Sequence, residues 1–276
     1  MQMCGLFLGL ILTLSAGASS PWRALAPGLD VGTFVASTPP RNGKGHITVL
    51  RIDPAQWDLE FAGLSQAEGE TIGRTARQWC KERTFTAAIN AGMFDQDYKT
   101  HLGYLRQGEH VNSNRVNRYE SADAFGPTGK RSLPRFRIFD LDEPGATIET
   151  ILRDYSLVVQ NLRLIKRPGT NRWSQQTKRW SEAALGEDTA GRILFIFSRS
   201  PFTMYDLNRE LLSMGIGLVA AQHLEGGPEA QLYLRVGGEE IETFGSFETD
   251  FEEDDDNDHA WPIPNVLGIR PRAAIK

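Results

Sequence analysis

The chain has 276 residues, 40% of them hydrophobic, 24% charged and 9% aromatic, which is globular composition with enough apolar material for a sizeable core. Its formal net charge of −5 argues against a duplex nucleic-acid binder, which carries a basic excess, so no nucleic-acid partner is expected. An anionic small substrate stays open, because it needs only a local basic pocket.

Leu6 to Leu14 is an almost purely apolar run followed by Ala16-Gly17-Ala18, the small-x-small pattern that a signal peptidase accepts. The run is shorter than the roughly 20 residues a helix needs to span a bilayer. Nothing basic precedes it, and an uncleaved anchor is the alternative. Residues 1–18 therefore read as a signal peptide cleaved near Ala18, and the mature chain is expected to be secreted or periplasmic with no stable membrane span. Cleavage leaves Cys80 as the sole cysteine, so no intramolecular disulfide is expected; Cys80 lies in a helical pattern and reads as a small buried hydrophobe.

Residues 19–45, rich in Pro, Gly and Ala, read as a leader, and 46–276 as a single domain. His46 to Ile52 alternates apolar and polar residues before Asp53-Pro54, and Trp57 to Ala62 repeats that period. Thr71 to Arg83 places Ile72, Ala76, Trp79 and Cys80 on one helical face, and Phe85 to Asn90 follows as a short apolar strand. Asp95 to Gly129 is polar and aperiodic, a long loop of the kind usually kept for function. Arg135 to Leu141, Thr147 to Leu152 and Leu157 to Val159 read as strands, and Arg163 to Ser181 as basic and irregular. Arg192 to Ser198 is a strand buried on both faces. Thr203 starts a helix whose apolar face is Leu207, Leu211, Leu212 and Met214, and Gly215 and Gly217 stop it. Gly217 to Leu224 and Gln231 to Val236 are further strands around the Glu225-Gly226-Gly227-Pro228 turn. Together these predict an α/β (mixed α+β) fold, a single domain with a mixed β-sheet core covered by helices.

Two strand ends join polar residues to glycines: Ile89-Asn90-Ala91-Gly92-Met93-Phe94-Asp95 and His223-Leu224-Glu225-Gly226-Gly227. Glycines beside a carboxylate let backbone N–H groups and the side chain face one ligand; alone, each segment also reads as a tight turn. The acidic stretch Glu248 to Asp258 lacks the central glycine and terminal glutamate of an EF-hand and reads as a solvated loop. No zinc-spaced His/Cys cluster or phosphate loop is present in the sequence, and neither a metal nor a cofactor is expected.

These motifs occur in a familiar order. Ile89 to Phe94, Ala184-Leu185-Gly186 before the Ile193–Phe197 strand, the helix at 206–214, Leu224 to Gly227 with Gln231 to Leu234, and Pro264 to Ile269 together resemble the phosphodiester glycosidase family. That resemblance implies a hydrolase for the bond between a sugar anomeric carbon and a phosphate, with a carbohydrate or sugar phosphate as partner. It makes Glu225 the candidate catalytic carboxylate, which would activate water or stabilise an oxocarbenium-like transition state. Asn90 would orient a sugar hydroxyl or the phosphate, and His223 would donate to the phosphate or else pack in the core. Gly92, Gly226 and Gly227 would line the substrate, and Asp95 and Asp97 are either second carboxylates or solvated loop residues. Three departures stand out. Glu225 replaces the more usual Asp; Pro228-Glu229 replaces Gly-Ser; and Glu182 occupies a position where an Arg is common. Arg115, Arg118 and Arg179, with Arg106 and Lys178, are the cations available in its place. The alternative is a glycan-binding protein of the same fold that has lost the reaction.

Overall fold

The computed structural model describes residues 20–129 and 132–273. The expected signal peptide lies outside the described residues.

In chain order, β1 (Trp22–Ala26), β2 (Leu29–Val35), β3 (His46–Ile52) and β4 (Trp57–Gly63) precede α1 (Ala76–Arg83) and β5 (Ala87–Asn90). Next come β6 (Leu105–Gln107), β7 (His110–Ser113), β8 (Glu120–Pro127), β9 (Phe136–Asp140) and α2 (Ile148–Leu152). They lead to β10 (Tyr155–Lys166), β11 (Thr170–Asn171), β12 (Trp180–Asp188) and β13 (Ile193–Phe202). The chain ends with α3 (Met204–Ser213), β14 (Leu218–Gly226), β15 (Gln231–Val236), β16 (Glu239–Phe244) and β17 (Asn265–Pro271).

The strands form two sheets rather than one helix-covered sheet. The larger runs β1-β2-β3-β13-β12-β14-β10-β6-β7, with β8, β9 and β11 joined around β10. The smaller runs β16-β15-β5-β17-β4. The main core lies between them, where Leu50, Phe195, Leu185 and Leu157 of one sheet meet Phe61, Ile89, Leu232 and Leu267 of the other. Burying each such side chain contributes ~1.5–3 kcal/mol. The α/β expectation is therefore corrected to a sheet-rich single domain, because the apolar faces of the sheets cover each other and the helices only cap the outside. α3 covers the outer face of the larger sheet through Leu207 and Leu211, and α1 that of the smaller through Trp79 and Cys80. Ile193, Phe195 and Phe197 face the inter-sheet core while Leu194 and Ile196 face α3, so this strand is buried on both sides as its sequence predicts.

Both strand–helix–strand units are present in altered form. β12 pairs antiparallel with both β13 and β14, and β17 does the same with β4 and β5. Each unit thus joins two parallel strands with a third, reversed strand inserted between them, so among the described residues no hydrogen-bonded strand pair is parallel.

Other differences have local causes. Residues 22–35, read as leader, form the β1–β2 hairpin, which continues the larger sheet onto β3. Helix α1 starts at Ala76 because Thr75 caps it, accepting from Gln78 N while Gln78 Oε1 accepts from Thr75 N; Ile72 is left outside, 76% exposed. The expected strand at 147–152 is helix α2, since Thr147 caps Thr150 N and buried Ile148 and Ile151 stand one helical turn apart. The expected loop at 95–129 contains three strands, β6 to β8.

Candidate functional site

β14 belongs to the larger sheet and β15 to the smaller, so the turn at 226–230 is where the chain crosses between them. Asn90, at the end of β5, holds this crossing. Its Nδ2 donates to Glu229 O at 2.9 Å, and its Oδ1 accepts from Gln231 N at 2.7 Å. Both polar ends of Asn90 are thus spent on the backbone that carries the turn. The two glycines make room for neighbours. A Cβ on Gly226 would lie 2.8 Å from Trp180 Cδ1, and one on Gly227, at φ +62°, 2.5 Å from Glu248 Oε2. Pro228 sits at the start of a 3-10 turn, where a backbone N–H has no intrahelical partner to lose.

Glu225 keeps part of its surface open while dense protein surrounds it. Its Oε1 accepts from Gly226 N at 3.1 Å. Burial pushes the carboxyl up to about 8, and Glu229 and Glu248 push the same way; His223 and the Gly226 N–H oppose them. Glu225 therefore carries a proton at neutral pH. Burial also raises Glu229 and Glu248, and it raises the phenols of Tyr98 and Tyr119, which feel the charge of Glu225 as well.

His223 is buried beside this carboxyl. Its Nδ1 lies 2.7 Å from Glu182 Oε1, and Glu182 Oε2 accepts from Trp180 Nε1 at 2.6 Å. The Trp180 and His223 rings meet edge to face with centroids 5.9 Å apart. Burial is the largest single influence on His223 and disfavours its charge. The attraction and hydrogen bond of Glu182, with Glu225 and Glu248 beyond, outweigh it, so the imidazole is raised above its ordinary value.

The remaining candidates divide. Gly92, at φ +150°, lies under two buried side chains: a Cβ there would stand 2.2 Å from Asn161 Oδ1 and 2.4 Å from His101 Cε1. Asn161 Nδ2 donates to Ala91 O at 3.0 Å, so Gly92 serves the packing of β10 against the Asn90 segment. Asp95 pairs with exposed Arg115 at 2.5 Å, and that hydrogen bond keeps the carboxyl below its ordinary range; Asp97 is tied to Thr100. Arg118 and Arg179 do not converge on Glu225. Arg118 lines a cavity of about 410 Å³ with Asn117, Glu120 and Glu149, and Arg179 one of about 370 Å³ with Arg41, Asp206 and Glu210. The sequence singled out neither Trp180 nor Glu248. Both reach the turn across strands or from a loop, so spacing carries no signal of them. Among the described residues, no cluster of three or more His, Cys, Asp or Glu side chains could hold a metal ion.

The model of the phosphodiester glycosidase family matches residues 83–270, more than half of the chain and all of the crossing turn. The chain belongs to the phosphodiester glycosidase family. No curated protein matches it. Among solved structures, it is similar to the catalytic domain of zebrafish N-acetylglucosamine-1-phosphodiester alpha-N-acetylglucosaminidase auto-inhibited by its pro-peptide. The TM-score is 0.65 at 15% identity, over 91% of this chain and 86% of that one. It is also similar to a hypothetical protein from Synechocystis, with a TM-score of 0.59 at 14% identity, over 92% of this chain and 64% of that one. Identities this low establish a shared fold. Glu182 does not pair with Lys178, which pairs with Asp250, or with Arg179. It pairs with His223.

Proposed function

We propose that the protein is an exported hydrolase that cleaves the bond between a sugar anomeric carbon and the oxygen of a phosphodiester, with Glu225 as its proton donor. The observation that carries this is the half-buried Glu225 carboxyl, pushed up to about 8 by its surroundings, at the crossing turn of a phosphodiester glycosidase domain. Water adds to the anomeric carbon while the C–O bond to phosphate breaks, its electron pair passing to the departing oxygen. Glu225 gives that oxygen its proton, and the proton released by water restores the Glu225 acid. Asn90 acts as a positioning residue through the backbone of the turn. Export rests on the apolar run and Ala16-Gly17-Ala18, and N-terminal sequencing of protein from the culture medium or periplasm tests it.

The mature chain should hydrolyse a glycosyl-1-phosphodiester, and Glu225→Gln should lower kcat by about 10²–10⁴-fold, the usual size of general acid–base catalysis. Equal turnover by both proteins would remove Glu225 from the chemistry. No turnover on any phosphodiester of a broad sugar panel would sink the hydrolase assignment. One observation favours a second function, glycan binding without hydrolysis: the arginines proposed for phosphate, Arg118 and Arg179, line other cavities. Titration calorimetry showing glycan affinity without turnover supports that alternative.

A further inference from the structure

A sugar phosphodiester carries one negative charge, and the turn that would receive it is crowded with carboxyl groups. Glu225 and Glu229 lie in the turn, Glu248 rests on Gly227 from the loop after β16, and Glu182 comes from β12. Phosphate is usually met by a cation. Position 182 holds a carboxylate, and the neighbouring strand sets the His223 imidazole against it. Ala184 pairs with His223 across the β12–β14 ladder, and a bulge beside this pair brings Glu182 within 2.7 Å of the ring.

The arrangement fixes the ring in three ways. Nδ1 is held by Glu182 Oε1, so the proton shared there stays on the ring side facing the carboxylate. Glu182 is itself held, since its other oxygen accepts from Trp180 Nε1 at 2.6 Å. Trp180 is braced in turn: its indole packs over Gly226, where any side chain would collide with it, and stands edge-on to the imidazole. Nε2 is left over. Among the described residues it hydrogen-bonds to no protein atom, and it is not sealed from solvent. This differs from His101, whose partnerless Nδ1 is enclosed and whose burial lowers it to about 4.

We infer that Glu182 and Trp180 are positioning residues that keep His223 as an imidazolium with its Nε2–H open beside Glu225, and that this N–H receives the anionic phosphoryl oxygen of the substrate. This rests on the hydrolase reading for the identity of the anion, but not for the existence of the anion site. The groups facing His223 agree with it. Glu182 from β12 and Glu248 from the 245–252 loop favour its charge, Glu225 on its own strand adds to them only once it ionises, and Trp180 presents a ring edge. A buried imidazolium paired with a single carboxylate leaves one N–H for a ligand oxygen, and a charge-assisted bond of that kind is about twice as strong as a neutral one. The resulting site holds its charge only while the pair is intact, unlike a permanently charged guanidinium.

The test uses the full mature chain with histidine nitrogens labelled, and α-glucose 1-phosphate and inorganic phosphate as probes. In the wild type, the His223 signals should titrate above the ordinary histidine range, and α-glucose 1-phosphate should move the Nε2 signal at pH 7. Glu182→Gln keeps the shape and removes the charge. It should lower the His223 midpoint by about one pH unit or more and weaken α-glucose 1-phosphate binding about tenfold at pH 7. Wild-type affinity should return below the new midpoint, and Glu182→Asp should recover part of the loss. Should Glu182→Gln fail to fold, Trp180→Phe, which removes the indole N–H together with part of the ring's bulk over Gly226, should give a smaller shift in the same direction. An unchanged midpoint and affinity in a folded Glu182→Gln protein overturns the inference, as does a wild-type Nε2 signal that neither probe moves. Failure of the hydrolase reading looks different: Glu182-dependent binding with no turnover sinks the hydrolase and leaves the anion site standing, whereas turnover with KM and pH profile indifferent to Glu182→Gln does the reverse.

Discussion

Gln231 N donates to Asn90 Oδ1 at 2.7 Å, and through that bond the end of β5 in the smaller sheet fixes the point at which the chain arrives from the larger one. Glu225 lies four residues before Glu229 and six before Gln231, the two points at which the Asn90 side chain clips the turn backbone, through Glu229 O and Gln231 N. Asn90→Ala leaves a buried N–H and a carbonyl without partners, which costs about 1–3 kcal/mol. Urea unfolding should show that loss. kcat should fall as well, because the turn that Asn90 clips carries the acid. A variant of full stability and full activity would show that the clip is redundant.

The glycines of the turn are explained by what packs on them. Gly227 has φ +62°, and a Cβ there would meet Glu248 Oε2 at 2.5 Å. Gly227→Ala should therefore cost about 1–3 kcal/mol, part from backbone strain and part from the collision. Adding Glu248→Ala should return the part due to collision and leave the part due to φ. The double-mutant cycle in chemical denaturation separates the two, and strictly additive losses would mean that Glu248 moves aside at no cost.

Much of this fold was legible and part was not, for physical reasons. β3, β13, α3 and β15 were readable because their apolar periods match the faces they bury. β8 was hidden because its inward face is polar: buried Ser121 and Asp123 point where a period-2 pattern expects apolar residues. The two-sheet architecture was hidden because β12 and β17 are inserted into units that are contiguous in sequence. At the site, the carboxylate turn and Asn90 could be found as motifs. The partner of His223 could not, since Glu182 lies 41 residues away and is joined only by strand register.

Asp123 offers a test of the buried polar layer that hid β8. With the Gln222 amide turned so that its NH2 faces the carboxyl, it donates to Asp123 Oδ1 at 2.9 Å and accepts from Ser121 Oγ at 3.0 Å. Burial pushes Asp123 up to about 8. A carboxyl raised on folding is stabilising while protonated, so its contribution is complete below the ordinary value near 4 and is lost as pH rises through 8. The wild-type Tm should fall across that window. Asp123→Asn, which never ionises, should fall less, so the gap in its favour should widen from pH 5 to pH 8. Parallel curves would mean that Asp123 is already ionised in the fold.

The same sign governs Glu225, where it reaches the reaction. Its carboxyl is pushed up to about 8, so the acid form dominates at neutral pH and disappears above that value. A proton donor must hold its proton in the free enzyme, so its loss alone should lower kcat/KM by about tenfold per pH unit once the pH passes about 8, and more steeply where His223 has also lost its proton. His223 is raised as well and loses its charge in the alkaline direction, so two deprotonations act on the same limb. The variants separate them. In Glu225→Gln the residual rate should keep only the histidine limb, whereas in Glu182→Gln that limb should move to lower pH while the Glu225 limb stays near 8. The stability profile gives an independent check, because the Glu225 contribution is complete below about 4.5 and lost on passing 8. The Tm of Glu225→Gln should therefore gain on the wild type over this interval. A wild-type rate that instead rises through pH 8 would make the Glu225 carboxylate the active form, and would assign it to water activation rather than to proton donation.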